Sequence, residues 1–104
     1  MDFEPLACIE FDGEIVHWRG PAPFLFVPVP KEHVDEIRFA ARSASYGWGV
    51  VPVEAMIGCT AFTTSLFPRE ETYFLPVKVA VQRSEDVGLG DTVHATIRIT
   101  TSLR

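Results

Sequence analysis

Gly47-Trp48-Gly49-Val50-Val51-Pro52-Val53, Thr63-Thr64-Ser65-Leu66-Phe67-Pro68 and a closing Leu75-Pro76-Val77-Lys78 punctuate the stretch from Tyr46 to Val77. β-Branched and aromatic residues favour strands. Gly and Pro at regular intervals interrupt them and force turns. Together they predict short, sharply turned strands, the pattern of a small β-barrel.

Working outward, the flanks agree. Leu6 to Trp18 reads as one long strand. Period two places Ile9, Phe11, Ile15 and His17 on one face and Glu10, Asp12, Glu14 and Val16 on the other. Asp12-Gly13 reads as a bulge or bend in that strand, with a type I′ turn as the alternative. Phe24 to Val29 is a second strand, apolar on both faces and so expected to be central. Lys31 to Ala44 is a helix. Pro30 suits its first position, acids crowd its start and Arg38 and Arg42 its end, and Val34, Ile37 and Ala41 form a narrow apolar stripe. Val50 to Ile57 and Thr60 to Phe67 form a hairpin across Gly58-Cys59. A turn at Pro68-Arg69-Glu70-Glu71 leads into a strand from Thr72 to Leu75. Residues 77–84 suit either a strand, from their β-branched content, or a short helix begun by Pro76. Thr92 to Thr101 is the cleanest strand, with Val93, Ala95, Ile97 and Ile99 facing in. The sum is a mostly β, single-domain chain over residues 1–104: about six strands, one or two short helices, and a closed or half-closed barrel with the long helix capping one end.

The formal net charge is −5. An acidic domain repels phosphate backbones at long range, and the basic residues form no run, so nucleic acid is a poor expectation. No apolar run approaches the ~20 residues of a membrane span. The acidic start Met1-Asp2-Phe3-Glu4 does not suit a signal peptide. Cys8 and Cys59 predict a reducing, cytoplasmic setting. They read as small buried hydrophobes, with no Lys or Arg beside them to activate a thiolate.

The search for chemistry yields no assembled site. His17, His33 and His94 are far apart in sequence, and neither Cys has a partner at metal spacing, so no metal site is expected. Ser65 lacks a nucleophile elbow and reads first as part of a hydroxyl-rich strand face. Gly88-Leu89-Gly90 lacks the remainder of a nucleotide loop. Glu10, Asp12 and Glu14 form an acidic stripe that suits a cation, a basic partner or a pair of acid–base groups. The plainer reading is a solvated strand face that discourages edge pairing. Trp48, between two glycines, suits either stacking on a ligand or plugging a barrel end. Phe24, Phe26, Phe62, Phe67, Tyr73 and Phe74 read first as core. No catalytic residue and no cofactor is expected.

The chain from about Leu6 to Ile99 resembles the small bacterial family called domain of unknown function 1905. The resemblance rests on Val29-Pro30-Lys31, Gly47-Trp48-Gly49-Val50-Val51-Pro52-Val53, Gly58, Thr64-Ser65-Leu66-Phe67-Pro68, Leu75-Pro76-Val77-Lys78 and Gly90-Asp91-Thr92-Val93, in order and at similar spacing. It implies a double-split β-barrel. Pro30-Lys31-Glu32 and Leu89-Gly90-Asp91-Thr92-Val93 are also similar to phrases in swapped-hairpin DNA-binding regulators and antitoxins of that fold, which act as dimers. The acidic balance departs from their pattern. Family members also occur joined to a second small domain linked with bacteriocin protection, so a stand-alone chain is expected to need a partner. The resemblance carries no catalytic residue.

Two functions fit these features. One is a non-enzymatic binding module, monomer or homodimer, that holds a small ligand or a partner protein's segment at the barrel mouth near Trp48, Ser65, Phe67 and Lys78. The other is a dimeric nucleic-acid-binding or antitoxin-like regulator. It requires Lys31, Arg38, Arg42 and Lys78 to converge on one face.

Overall fold

The computed structural model describes residues 7–18, 24–44 and 50–100. Seven antiparallel strands and two short helices follow one another in the chain: β1 (Ala7–Glu14), β2 (Val16–Trp18), β3 (Phe24–Pro28), α1 (Val34–Ala44), β4 (Val51–Ile57), β5 (Thr60–Arg69), β6 (Thr72–Pro76), α2 (Val79–Glu85) and β7 (Thr92–Ile99). A 3₁₀ turn at Lys31–His33 leads into α1.

The sheet order is β1-β7-β4-β5-β6-β3-β2. Its two edge strands, β1 and β2, are consecutive pieces of one chain segment separated by Ile15 alone. The sheet therefore curls until its ends meet at one residue. β5 is divided in the same way. Thr60 to Leu66 pair with β4, and Phe67 to Arg69 pair with β6. Two segments are thus each shared between two halves of the sheet, which makes the architecture a double-split barrel. Counting β1 and β2 as one bent segment recovers the six strands expected from sequence.

Alternation makes the core. Ile9 and Phe11 of β1, Val53 and Ala55 of β4, and Ala95 and Ile97 of β7 point inward and are buried. Each fully buried aliphatic contributes about 1.5–3 kcal/mol. α1 closes the curl with Val34, Ile37 and Ala40 buried, while the predicted Ala41 is half-buried at the rim. At Pro52, β4 is paired with β5, since its ladder with β7 runs only from Glu54 to Ile57. A residue without an N–H is tolerated at such a position.

Three expectations are corrected. Asp12-Gly13 is neither bulge nor turn, because the β1–β7 ladder runs unbroken from Ala7↔Ile99 to Glu14↔Thr92. The break falls at Ile15, whose N–H donates to the Asp91 carbonyl (2.8 Å) and whose carbonyl accepts from the Gly90 N–H (2.9 Å). Period two runs on through the break, with Val16 opposite Phe26 and His17 opposite Leu25, which packs against the core, although His17 itself is exposed on the edge strand. Residues 79–85 are helix, but Pro76 does not begin it. Pro76 pairs with Phe26 at the end of β6, and the Val77 N–H still bonds to the Leu25 carbonyl. Cys8 and Cys59 are both free and exposed, because Cys8 shares its parity with Glu10 and Cys59 sits in a turn.

Both tight hairpins are informative. Gly58 turns from β4 into β5 with a left-handed φ of 59°, and the turn is clasped by α2. The Glu85 carboxylate accepts from the Cys59 N–H (3.2 Å) and the Thr60 hydroxyl (2.5 Å). The second hairpin joins β5 to β6 through Glu70 and Glu71, with φ of 53° and 66°. That is the sign pattern of a type I′ turn, which normally takes Asn-Gly. A side chain in this region costs of order 1 kcal/mol or more. Replacing Glu70-Glu71 with Asn-Gly is therefore expected to stabilise the fold by about 1–2 kcal/mol. The exposed Lys31–Glu71 ion pair that the replacement removes is worth at most about 1 kcal/mol. An unchanged or lowered urea midpoint would contradict this account of the turn.

Candidate functional site

The two halves of the curled sheet differ on their outer faces. Outside β1, β7 and β4 the exposed residues include Glu10, Asp12, Glu14, His94, Arg98 and Glu54. A solvated antiparallel face is ordinarily polar in this way. Outside β2, β3, β6 and the end of β5 the register gives a different composition. Val16 pairs with Phe26, Phe26 with Pro76, Pro28 with Phe74, and Phe74 with Phe67. Paired residues share a face, so Trp18, Phe26, Phe67 and Phe74 lie together outside.

Phe74 is the centre of this group. It is buried, yet it stands apart from the main core cluster that holds its neighbours Tyr73 and Leu75. Trp18 meets it edge-on at 5.3 Å and 87°, and Phe26 lies 5.8 Å away at 51°. These are favourable aromatic geometries, each worth ~0.5–1.5 kcal/mol beyond burial. The Arg69 guanidinium lies 5.8 Å from the centre of the Trp18 ring, a cation–π contact, and also donates to the Pro68 carbonyl. Phe67 remains 40% exposed. Tyr73 and Phe74 are thus both buried as expected, Phe74 apart from the main cluster, while Phe67 is not core.

Three of the four residues expected at a ligand site share one side of β5. Ser65 points outward, half-buried, opposite Pro52. Phe67 follows two residues on. Lys78, just before α2, reaches back so that its ammonium donates to the Thr63 carbonyl (2.7 Å). They line the outer wall and not a barrel mouth. Trp48 lies outside the described residues. Sequence reasoning missed Trp18, Phe26, Phe74 and Arg69 as a group. The available signal was Phe24 to Val29 and Tyr73 to Leu75, two stretches apolar on both faces beside strands such as β7 that alternate.

The basic residues do not all gather. Lys31 faces Glu71 at 3.9 Å, and Arg38 lines a groove beside the same hairpin. Arg42 is exposed on α1. Lys78 is bound at Thr63, six residues before Arg69 and so roughly 20 Å along β5.

On the polar face, His94 is gripped from both sides. Nδ1 lies 2.8 Å from Asp12 Oδ1 and Nε2 3.2 Å from Glu10 Oε1. The acidic stripe is thereby occupied. Both ring nitrogens face carboxylates, which suits the doubly protonated ring and leaves neither free to take a proton from a substrate. Among the described residues no group of His, Cys, Asp and Glu is arranged to hold a metal ion. The Asp12 hydrogen bond, followed by that of Glu10, raises the His94 pKa above its ordinary 6.5, against a smaller opposing effect of burial. A raised folded-state pKa gives stability that is full below 6.5 and lost as pH rises through the folded value. His94 is expected to titrate above 6.5 by proton NMR and to fall back toward 6.5 in Asp12→Asn. A wild-type midpoint at or below 6.5 would refute the clasp.

Among the described residues no helix is long and apolar enough to cross a membrane. Residues 11–97 match the family described as Domain of unknown function (DUF1905). The match covers most of the chain, and the chain belongs to this family. No curated protein matches it.

Proposed function

We propose that this member of the DUF1905 family is a non-enzymatic binding module that presents the outer aromatic face of β2, β3, β5 and β6 to a small ligand or a partner protein's segment. One observation carries the reading. The inner side of this half-sheet is already core, yet its outer side holds Trp18, Phe26 and the 40%-exposed Phe67. The other half-sheet is polar outside apart from Met56 on β4, and it presents no aromatic ring there. Aromatic residues concentrated on one exposed face mark an interaction surface. Rings held by one another lose little freedom on binding, so more of their contact energy is realised. Ser65 and Lys78 border this face along β5 and offer a hydroxyl and a charge.

The alternative, a dimeric nucleic-acid-binding regulator, draws no comparable support. Lys78 is spent on Thr63, Lys31 faces Glu71, and the net charge is −5.

A fragment screen read by amide NMR tests the proposal. Hits are expected to shift residues 16–18, 26–28 and 67–69. Phe67→Ala is expected to weaken them by roughly 1–2 kcal/mol, a five- to thirty-fold loss, with folding preserved because the ring is partly exposed. Hits scattered over the polar face, or binding untouched in Phe67→Ala, would overturn it.

A further inference from the structure

The outer face of β2, β3, β6 and the end of β5 is one-sided in its hydrogen-bonding chemistry. Beside the four rings, register places Val16, Pro28, Pro76 and Arg69 on it. None of these side chains is a carboxylate or an amide. Thr72, opposite Arg69, is buried, and its hydroxyl donates to the Val29 carbonyl (2.6 Å). Donors, by contrast, are present. The Trp18 indole N–H bonds to no described residue and is not a buried orphan. A guanidinium carries five N–H groups, and that of Arg69 gives a bond to the Pro68 carbonyl.

These donors stand together with the rings. The Arg69 guanidinium lies 5.8 Å from the centre of the Trp18 ring, and the same ring meets Phe74 at 5.3 Å. Phe67 is paired with Phe74 and is 40% exposed. An ordinary extended segment laid on such a face would lose water from backbone N–H groups that find no acceptor. Proline brings a carbonyl and no N–H. A proline-rich segment thus supplies what the face accepts and omits what it cannot satisfy.

Size and charge narrow the occupant further. The face is four strands wide, roughly 14 Å at ~4.8 Å between neighbours, and about 10 Å deep for three residues along a strand. That is far below the ~800 Å² that each partner gives to a stable interface, so the face alone does not hold a second copy. Polyproline II rises ~3.1 Å per residue, so about five residues cross it. Arg69 is the charged side chain that register puts on this face, and it forms no ion pair among the described residues. A guanidinium matches a carboxylate.

We infer that this face binds a proline-rich segment of a partner protein, about five residues in polyproline II form with an acidic residue at the Arg69 end. Trp18, Phe26 and Phe67 pack against proline rings, and Trp18 and Arg69 donate to the segment's carbonyls and carboxylate. Polyproline II is already extended when free, so little order is lost on docking. The inference rests on the binding-module reading and names its partner.

Titration of the full chain with an acetylated pentaproline peptide ending in glutamate, followed by NMR, tests it. Saturable shifts are expected at the amides of residues 16–18, 26, 27, 67 and 69, and at the Trp18 indole N–H, identified by its loss in Trp18→Phe. A pentaalanine peptide ending in glutamate is expected to bind at least about tenfold more weakly. Trp18→Phe keeps a ring and removes the N–H, and should weaken the proline peptide about fivefold, as for one ordinary hydrogen bond. Arg69→Gln should abolish the preference for a glutamate end over a lysine end. No response to the proline peptide, equal binding of the alanine peptide, or affinities unmoved in both variants would overturn the inference. Shifts of the same amides that grow with protein concentration in the absence of peptide would assign the face to a second copy and overturn it as well. Fragments that bind this face with no response to the proline peptide would sink this inference and leave the module reading standing. Fragment hits confined to the polar face would sink both.

Discussion

Ile15→Ala is expected to remove about 3–4 kcal/mol of folding stability, near the middle of the range for buried aliphatic truncations. Ile15 is fully buried. It is also the single residue between β1 and β2, at which the two edges of the sheet meet. Its backbone is bonded in both directions to the Gly90–Asp91 turn, which fixes its position and limits how far neighbours can collapse into the vacated space. A poorly relaxed cavity keeps the cost above the low end of the range. With total stability of ordinarily ~5–15 kcal/mol, the variant should unfold at much lower urea. A loss below about 1 kcal/mol would mean that the junction repacks freely and that the barrel does not close on this residue.

Gly13→Ala should destabilise by about 1–3 kcal/mol, against the usual expectation for such a change. Gly13 lacks the positive φ that penalises a side chain, and replacing glycine by alanine at a compatible position ordinarily stabilises by ~0.4–1 kcal/mol through the unfolded state. Here sterics decide the sign. A Cβ at Gly13 would stand 2.6 Å from Val27 Cγ1, and Val27 is fully buried with no room to retreat. Overpacking costs of this kind run to roughly 1–3 kcal/mol. The pair is testable as a cycle. Val27→Ala alone creates a cavity, but combined with Gly13→Ala it makes room for the new methyl, so the double variant should be more stable than the sum of the singles by about 1 kcal/mol or more. Additive costs would show that β1 does not press on β3 at this point.

Much of the fold was legible because local pattern and tertiary role agree. β7 alternates with Val93, Ala95, Ile97 and Ile99 all buried, and nothing but period two was needed to read it. The Gly58-Cys59 hairpin followed from its turn residues, and the cap by α1 from its stripe. The break at Ile15 was not legible, since period two carries straight through it. Equally hidden from local pattern is the approach of Gly13 to Val27, a contact between residues 14 positions apart in the chain. Residues 77–84 were ambiguous because Pro76 suits a helix start as well as a strand end, and pairing with Phe26 decided between them. The aromatic face escaped notice because its members come from four strands and converge only through register. Cys8 was misread although its parity with Glu10 already placed it outside.

The curl that closes on one segment has a consequence for how the molecule is made. Ala7 finds its partner in Ile99, so β1 waits for β7, which is synthesised well after it. At about 5–20 residues per second that interval is roughly 5–20 s. Throughout it the hydrogen-bonding edge of β1 lies open, and the Glu10, Asp12 and Glu14 carboxylates that later grip His94 or face water are then charges on a nascent strand. Like charges on an unpaired edge repel other strands. The acidic stripe thus guards the newborn chain through the seconds in which it has no neighbour.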